Sequence, residues 1–250
     1  MAAFTDRFGA VARAYAAFRP TYPDALFAWL AAETPGRALA WDCATGNGQA
    51  AAALAEHFEA VAATDASAEQ LAHARPHPRV RYAVAPAEAS GLPDAAADLV
   101  TVAQALHWFD LDAFFAEAGR VLRPGGLLAV WTYALFESTP EVDRVVDRYH
   151  DEVLGEYWSP ERCLVDEGYA GLPFPWEPVA VPSFAMEARW TLEQLTGYLA
   201  TWSARQTYIE ATGEDPLPAV RDTLAAVWGE PEREVPIHWP LALHVRRKPA

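Results

Sequence analysis

The residues of this 250-residue chain best placed to do chemistry are two acids, two glycines and a histidine. Asp42 ends a short apolar run and opens the loop DCATGNG, in which Gly46 and Gly48 permit left-handed backbone and let a ligand approach the main chain. Asp65 closes a second apolar run, at the distance where an acid can reach a ribose. Gly46-x-Gly48-x-x-Ala51 followed by Asp65 therefore satisfies the dinucleotide fingerprint, although this fingerprint on its own is weak. His107, inside ALHWFD, is either a general base or a stacked positioning group. Cys43 reads as a small buried filler, and no Cys or His spacing suggests a metal.

These residues need an alternating scaffold, and the sequence supplies one. Strand-like runs at residues 38–42, 60–65, 80–84, 99–104 and 127–132 alternate with helical stretches at 49–58, 67–74 and 112–122. That pattern predicts an α/β, doubly wound, mostly parallel sheet with helices on both faces. Ser67 and Gln70 read as a capping box, and RPGG at 123–126 reads as a turn. Thr139, Pro140 and Glu141 mark the start of a further helix with Val142, Val145, Val146 and Tyr149 on one side. Past it, Pro- and aromatic-rich text with no clean period suggests a cap over a site. A strand at 179–188, helices from Thr191 and at 217–228, and a last strand at 236–245 follow. The prolines of VPIHWP place that last strand at or near an edge.

Composition narrows the partners. The balance of 19 basic against 34 acidic residues gives a formal charge of −15, unsuited to a nucleic-acid backbone or an anionic membrane surface. Two cysteines imply no disulfide framework and favour a reducing, cytoplasmic setting. The N-terminus carries Asp6, Arg7 and Arg13 among its apolar residues, unlike a signal peptide, and no run reaches membrane-spanning length. Phe4, Phe8, Val11, Tyr15 and Phe18 instead recur at helical spacing. A single domain is expected over 1–250. Its parts are an N-terminal helical cap (1–35), a cofactor-binding core (36–132), a variable substrate cap (133–190), and C-terminal helices with an edge strand (191–250).

Taken in order, the motifs resemble those of the class I S-adenosylmethionine-dependent methyltransferases, in particular the small-molecule branch that includes the trans-aconitate methyltransferases. Asp42, Gly46 and Gly48 match the first motif, with Ala44 at its first glycine. Asp65, followed by Ala66, matches the ribose-binding acid. Ala87 and Glu88 resemble the adenine-side motif. Gln104 to Asp110 resembles the segment under the methionine part, and VLRPGGLLAVW resembles the turn into the fifth strand. The likeness runs from Tyr15-x-x-x-Arg19-Pro-x-Tyr22-Pro to about Trp131, and more loosely through Thr201-Trp202-Ser203. Two departures stand out: a methyl group at Ala44 is tolerated only if the backbone there is not left-handed, and Pro86 replaces an acid that reads the adenine amino group in many relatives.

The resemblance implies a Rossmann-like sheet with an antiparallel edge hairpin. It also implies S-adenosylmethionine as cofactor, S-adenosylhomocysteine as product and a small-molecule acceptor, and no metal. Tyr15, Asp42, Ala44, Gly46, Gly48, Asp65, Ala66, Ala87, Glu88 and Gln104 would hold the cofactor. A carboxylate acceptor is already ionised near neutral pH and needs no base, whereas a hydroxyl, amine or carbon acid would need one. Arg19, His107 and Arg205 are candidates to hold an anionic acceptor; Tyr15, Tyr22, Trp108, Tyr133 and Trp202 are candidates to line its pocket. Two alternatives stand beside this reading. A Rossmann-type NAD(P)-dependent oxidoreductase requires a parallel sixth strand, and a cofactor-binding module without activity requires no methyl transfer at all.

Overall fold

A computed structural model describes residues 20–250, so the N-terminal helix, Tyr15 and Arg19 lie outside the described residues. β1 (Leu39–Cys43) pairs in parallel with β2 (Ala60–Asp65) on one side and β4 (Ala97–Ala103) on the other. β3 (Val80–Val84) extends the sheet beyond β2, and β5 (Leu122–Thr132) extends it beyond β4, both in parallel. The direction then reverses. β9 (Ala242–Arg247) lies antiparallel to β5, with two-residue β6 (Glu177–Pro178) antiparallel to β9. The order is β3-β2-β1-β4-β5-β9-β6, a mostly parallel doubly wound sheet with an antiparallel edge.

Burial follows from that order. β4 sits centrally and is apolar on both faces, with Leu99, Val100 and Val102 fully buried, as a parallel strand covered by helices on each side requires. On one face α1 (Asp24–Glu33) and α2 (Gln49–Leu54) bury Leu26, Phe27, Leu30 and Leu54 against Val61, Leu127 and Trp131. On the other face α4 (Leu111–Val121) buries Phe114, Ala118 and Val121 against Trp41, Val100 and Val130. A short helix, α3 (Ala68–Ala72), follows β2. Each fully buried Leu or Phe of these layers contributes roughly 1.5–3 kcal/mol through removal from water.

A third apolar cluster builds the cap. Tyr133, Phe136, Val142, Val146 and Tyr149 meet Trp190, Leu195, Tyr198, Leu224, Trp228 and Trp239. The first group comes from the end of β5 and from α5 (Pro140–Arg148), which is capped by the Thr139 hydroxyl and runs into one π-helical turn, Tyr149–Val153. The second comes from β7 (Ala185–Trp190), α7 (Leu192–Leu199), α9 (Leu217–Trp228) and β8 (Val235–Pro240), with α8 (Ser203–Thr212) between the last two helices. The Thr191–Gln194 capping box is fully formed. The intervening short helix α6 (Arg162–Asp166) packs back on the main sheet, where Val165 and Tyr169 join the cluster around Phe114.

Several boundaries differ from expectation. The strand expected at 236–245 breaks at Leu241: β8 pairs antiparallel with β7 in a separate two-stranded sheet, and only β9 joins the main one. Pro240 has no N–H for a continuing ladder, and Leu241 instead donates to the Phe184 carbonyl. The strand expected at 179–188 forms only from Ala185, while Val179, just past β6, donates to the Val245 carbonyl. The helix at 49–58 stops at Leu54, where i→i+3 bonds such as His57 N–H to Leu54 O close a tight turn. Of the Ser67–Gln70 box, the serine half is made. The RPGG segment is drawn into β5, with a register shift against Ala97–Leu99 and Gly125 at φ +77°. Among the described residues no helix is long and apolar enough to cross a membrane.

Candidate functional site

β1 delivers Asp42 to the carboxyl end of the sheet, where it is 1% exposed. The Thr45 hydroxyl donates to its Oδ2 at 2.5 Å and the Thr101 hydroxyl to its Oδ1 at 2.7 Å. Burial pushes this carboxyl up to about 6, with the two threonine hydroxyls opposing the shift. Asp42 thus braces the loop from beneath.

The loop above it winds through three left-handed residues, Ala44 (φ +54°), Gly46 (φ +56°) and Gly48 (φ +78°). The condition that would have suited alanine at position 44 is therefore not met. A left-handed non-glycine residue costs about 1–2 kcal/mol, and Thr45 fixes it by bonding the Thr64 carbonyl and Asp42. Gly46 is different: among the described residues a Cβ there would meet only Gln70 Oε1, at 4.0 Å, so none of them fills the space over its Cα. That is the cradle a nucleoside-bearing cofactor would fill.

Asp65 joins this loop to the next. Its Oδ2 accepts from the Gly46 N–H at 2.8 Å and its Oδ1 from the Ser67 N–H at 2.9 Å. Each oxygen keeps a second lone pair, so the acid can order the turn and still accept from ribose hydroxyls. Ala66 is exposed beside it, Ala87 is 9% exposed, and Glu88 accepts from the Asp110 N–H at 3.1 Å. Glu88 so ties the loop after β3 to the loop after β4. These residues line one end of the sheet and suit a ribose and adenine, with Pro86 leaving no acid at its position.

A separate cavity of about 100 Å³ opens where β4 and β5 end, walled by Gln104, Tyr133, Ala134, Leu135, Trp158, Arg162, Tyr198, Thr201, Trp202 and Ser203. Gln104, at φ +56°, spends its side chain on this junction: Nε2 donates to the Tyr133 carbonyl at 3.0 Å, and Oε1 accepts from the Tyr133 N–H at 3.0 Å and from the Thr132 hydroxyl. Trp202 is held by stacking on Tyr149, with ring centres 5.5 Å apart. Of the residues expected to line an acceptor pocket, Tyr133 and Trp202 border this cavity.

The other candidates go elsewhere. Arg205 closes on Asp215 with two bonds, 2.9 and 2.5 Å, and its remaining nitrogen reaches the Ala200 carbonyl, so it ties α8 to the turn before α9, outside the cavity wall. Tyr22 packs edge-on against Trp131, and Trp108 is 52% exposed outside the wall. His107 also stands outside it: Nδ1 lies 2.7 Å from the Tyr169 hydroxyl, and burial pulls the imidazole down to about 4, with the nearby Arg162 charge adding and Glu161 opposing. At neutral pH it is a neutral, positioned ring.

Sequence reasoning missed Trp158, Arg162, Tyr198 and Tyr169. The signal available was WSPER, an arginine four residues after a tryptophan within the unpatterned cap. Among the described residues no group of three His, Cys, Asp or Glu side chains could hold a metal.

An α/β sheet with an antiparallel edge, a braced glycine loop and an acid at the next strand end defines a nucleoside-cofactor transferase. The antiparallel β9 replaces the parallel strand an NAD(P) oxidoreductase requires, and so removes that reading. Residues 41–130 match the family described as a methyltransferase domain. A protein assigned as a methyltransferase in Dictyostelium discoideum is 35% identical over 225 residues, spanning 88% of this chain and 86% of its own. The solved structure of a protein assigned as a type II methyltransferase in Anaeromyxobacter dehalogenans is 49% identical with a TM-score of 0.88, covering 93% of this chain and all of that one. At the level of fold alone, phosphoethanolamine N-methyltransferase 2 of Haemonchus contortus, solved with phosphomonomethylethanolamine and S-adenosylhomocysteine, has a TM-score of 0.50 at 19% identity, over 98% of this chain and 58% of its own. The chain belongs to the class I S-adenosylmethionine-dependent methyltransferases.

Proposed function

We propose that this enzyme methylates a small molecule on a carboxylate, with S-adenosylmethionine on the loops after β1, β2 and β3 and the acceptor in the cavity at the ends of β4 and β5. One observation carries the acceptor class: among the described residues the cavity wall contains no Asp, Glu, His or Lys; of the two imidazoles behind it, His107 is neutral and turned onto Tyr169, and His150 is buried against Trp158 and Trp202 with Nδ1 2.6 Å from Asp151. A wall without a base suits a nucleophile that is already ionised. The resemblance to the trans-aconitate branch agrees with this.

Bound at this site, S-adenosylmethionine supplies a sulfonium-activated methyl group. Asp65 would accept from the ribose hydroxyls, the main chain of Gly46 and Gly48 would admit the methionine part, and Ala87 with Glu88 would border the adenine. Gln104 fixes the Tyr133 main chain and so the wall between the two ligands. Tyr169 holds His107, and the cap aromatics Trp158, Tyr198 and Trp202 exclude water around the nucleophile, which is the protein's main task in such a transfer.

Calorimetry with S-adenosylhomocysteine tests the cofactor site, and a screen of small carboxylic acids with methyl-labelled S-adenosylmethionine tests the acceptor. Binding with ester formation is the expected result. Cofactor binding with no transfer to any acid, alcohol, amine or metabolite extract would instead identify a module without activity.

A further inference from the structure

The cap carries one charge into the acceptor cavity, and its sign is opposite to that of the protein. Against a formal net charge of −15, the single ionised side chain in the wall among the described residues is Arg162. It starts α6, is 22% exposed, and is restrained twice: its guanidinium lies over the Trp158 ring, 4.7 Å from the centroid, and its Nε donates to Asp166 at 2.8 Å. Those contacts use one face and one N–H. Both Nη nitrogens are left without a hydrogen-bond partner among the described residues, in a wall that also includes Thr201 and Ser203.

We infer that Arg162 is the residue that selects the acceptor, holding a carboxylate of a small molecule end-on through Nη1 and Nη2 while Trp202 covers its apolar body. An aromatic-walled cavity would otherwise favour a cation, because indole faces attract positive charge. Here the Trp158 face is already taken by the protein's own cation, so an amine acceptor meets repulsion and an anion meets a preorganised fork. Arg162 also stands near His107, where its charge helps keep the ring neutral, so the same residue that draws an anion disfavours a protonated base beside it. This inference rests on the acceptor occupying the cavity proposed above.

Benzoate and its uncharged counterpart benzamide are suitable probes, titrated by calorimetry into protein saturated with S-adenosylhomocysteine. Wild type is expected to bind benzoate at least tenfold more tightly than benzamide; Arg162→Gln to lose that preference with benzamide affinity unchanged; and Arg162→Lys, which keeps the charge but not the fork, to fall between. S-adenosylhomocysteine affinity should be the same in all three, which shows that each variant is folded. Equal binding of the two probes by wild type, an unaltered preference in Arg162→Gln, or no benzoate binding at millimolar concentration to protein that binds S-adenosylhomocysteine would overturn the assignment. Failure of methyl transfer with the benzoate preference intact would instead count against the proposed reaction and leave Arg162 as an anion site.

Discussion

Gly48→Ala tests whether the glycine loop is constrained by its backbone alone or also by what stands over it. Gly48 caps α2 at φ +78°, so a Cβ there carries the left-handed cost of about 1–2 kcal/mol. The same Cβ would come within 2.9 Å of Tyr82 Cζ and 3.0 Å of Cε1. Tyr82 cannot easily yield, because its hydroxyl donates to the Arg75 carbonyl at 2.7 Å and the Arg75 N–H in turn donates to Asn47 inside the loop. Overpacking of this kind costs about 1–3 kcal/mol. Loss of unfolded-state entropy returns roughly 0.4–1 kcal/mol. Gly48→Ala should therefore destabilise by about 1–4.5 kcal/mol, a fall in Tm of about 2–4 °C for each kcal/mol in a chain of this size. Urea unfolding of wild type, the two single variants and Gly48→Ala in a Tyr82→Ala background separates the parts: the steric share, about 1–3 kcal/mol, should vanish in the double variant while the backbone share stays. An identical cost in both backgrounds would refute the contact with Tyr82, and no cost in either would refute the left-handed turn.

Asp65→Ala removes the acceptor for two loop N–H groups and for the ribose, and should weaken S-adenosylhomocysteine by about 1–3 kcal/mol in calorimetry; unchanged affinity would reduce the acid to turn chemistry. Asp42 binds its proton more tightly folded, at about 6, than unfolded, at 3.8, so its contribution to stability is present at low pH and lost as pH rises through that interval. Wild type relative to Asp42→Asn should accordingly lose up to about 3 kcal/mol between pH 4 and pH 7.5 in urea unfolding, and a flat difference would mean that the carboxyl titrates normally. Arg205→Ala, which breaks the pair with Asp215, should lower stability by about 1–2 kcal/mol without changing the KM of a carboxylate acceptor; a tenfold rise in KM would return this arginine to the site.

The cofactor half of the molecule is legible because each of its parts is local in sequence. Strand, loop and helix follow one another from Ala38 to Leu54, so a few residues announce the element, and Asp42, Gly46 and Asp65 gain their chemistry from the order of the motifs that follow them along the string. What the local reading misses there is conformation. Ala44 is a residue type that avoids φ > 0, yet hydrogen bonds from Thr45 to Thr64 and Asp42 hold it at +54°, a constraint supplied in part by β2, beyond the loop's own letters.

The acceptor half is illegible for the opposite reason. Its cavity is assembled from the end of β5, from the stretch around Trp158 and Arg162, and from α7 with the residues that lead into α8, segments far apart in the sequence. No periodicity spans such a junction. The two arginines make the point: Arg205 lies in the stretch that resembles the family and is consumed by Asp215, whereas Arg162 lies in unpatterned text and faces the cavity with both Nη nitrogens unpaired among the described residues. Charge type is the same for both. What separates them is which partner stands within reach, and that depends on packing between segments, so the residues proposed to choose the substrate can be found only from the fold, while those proposed to hold the cofactor are local enough to be read in the string.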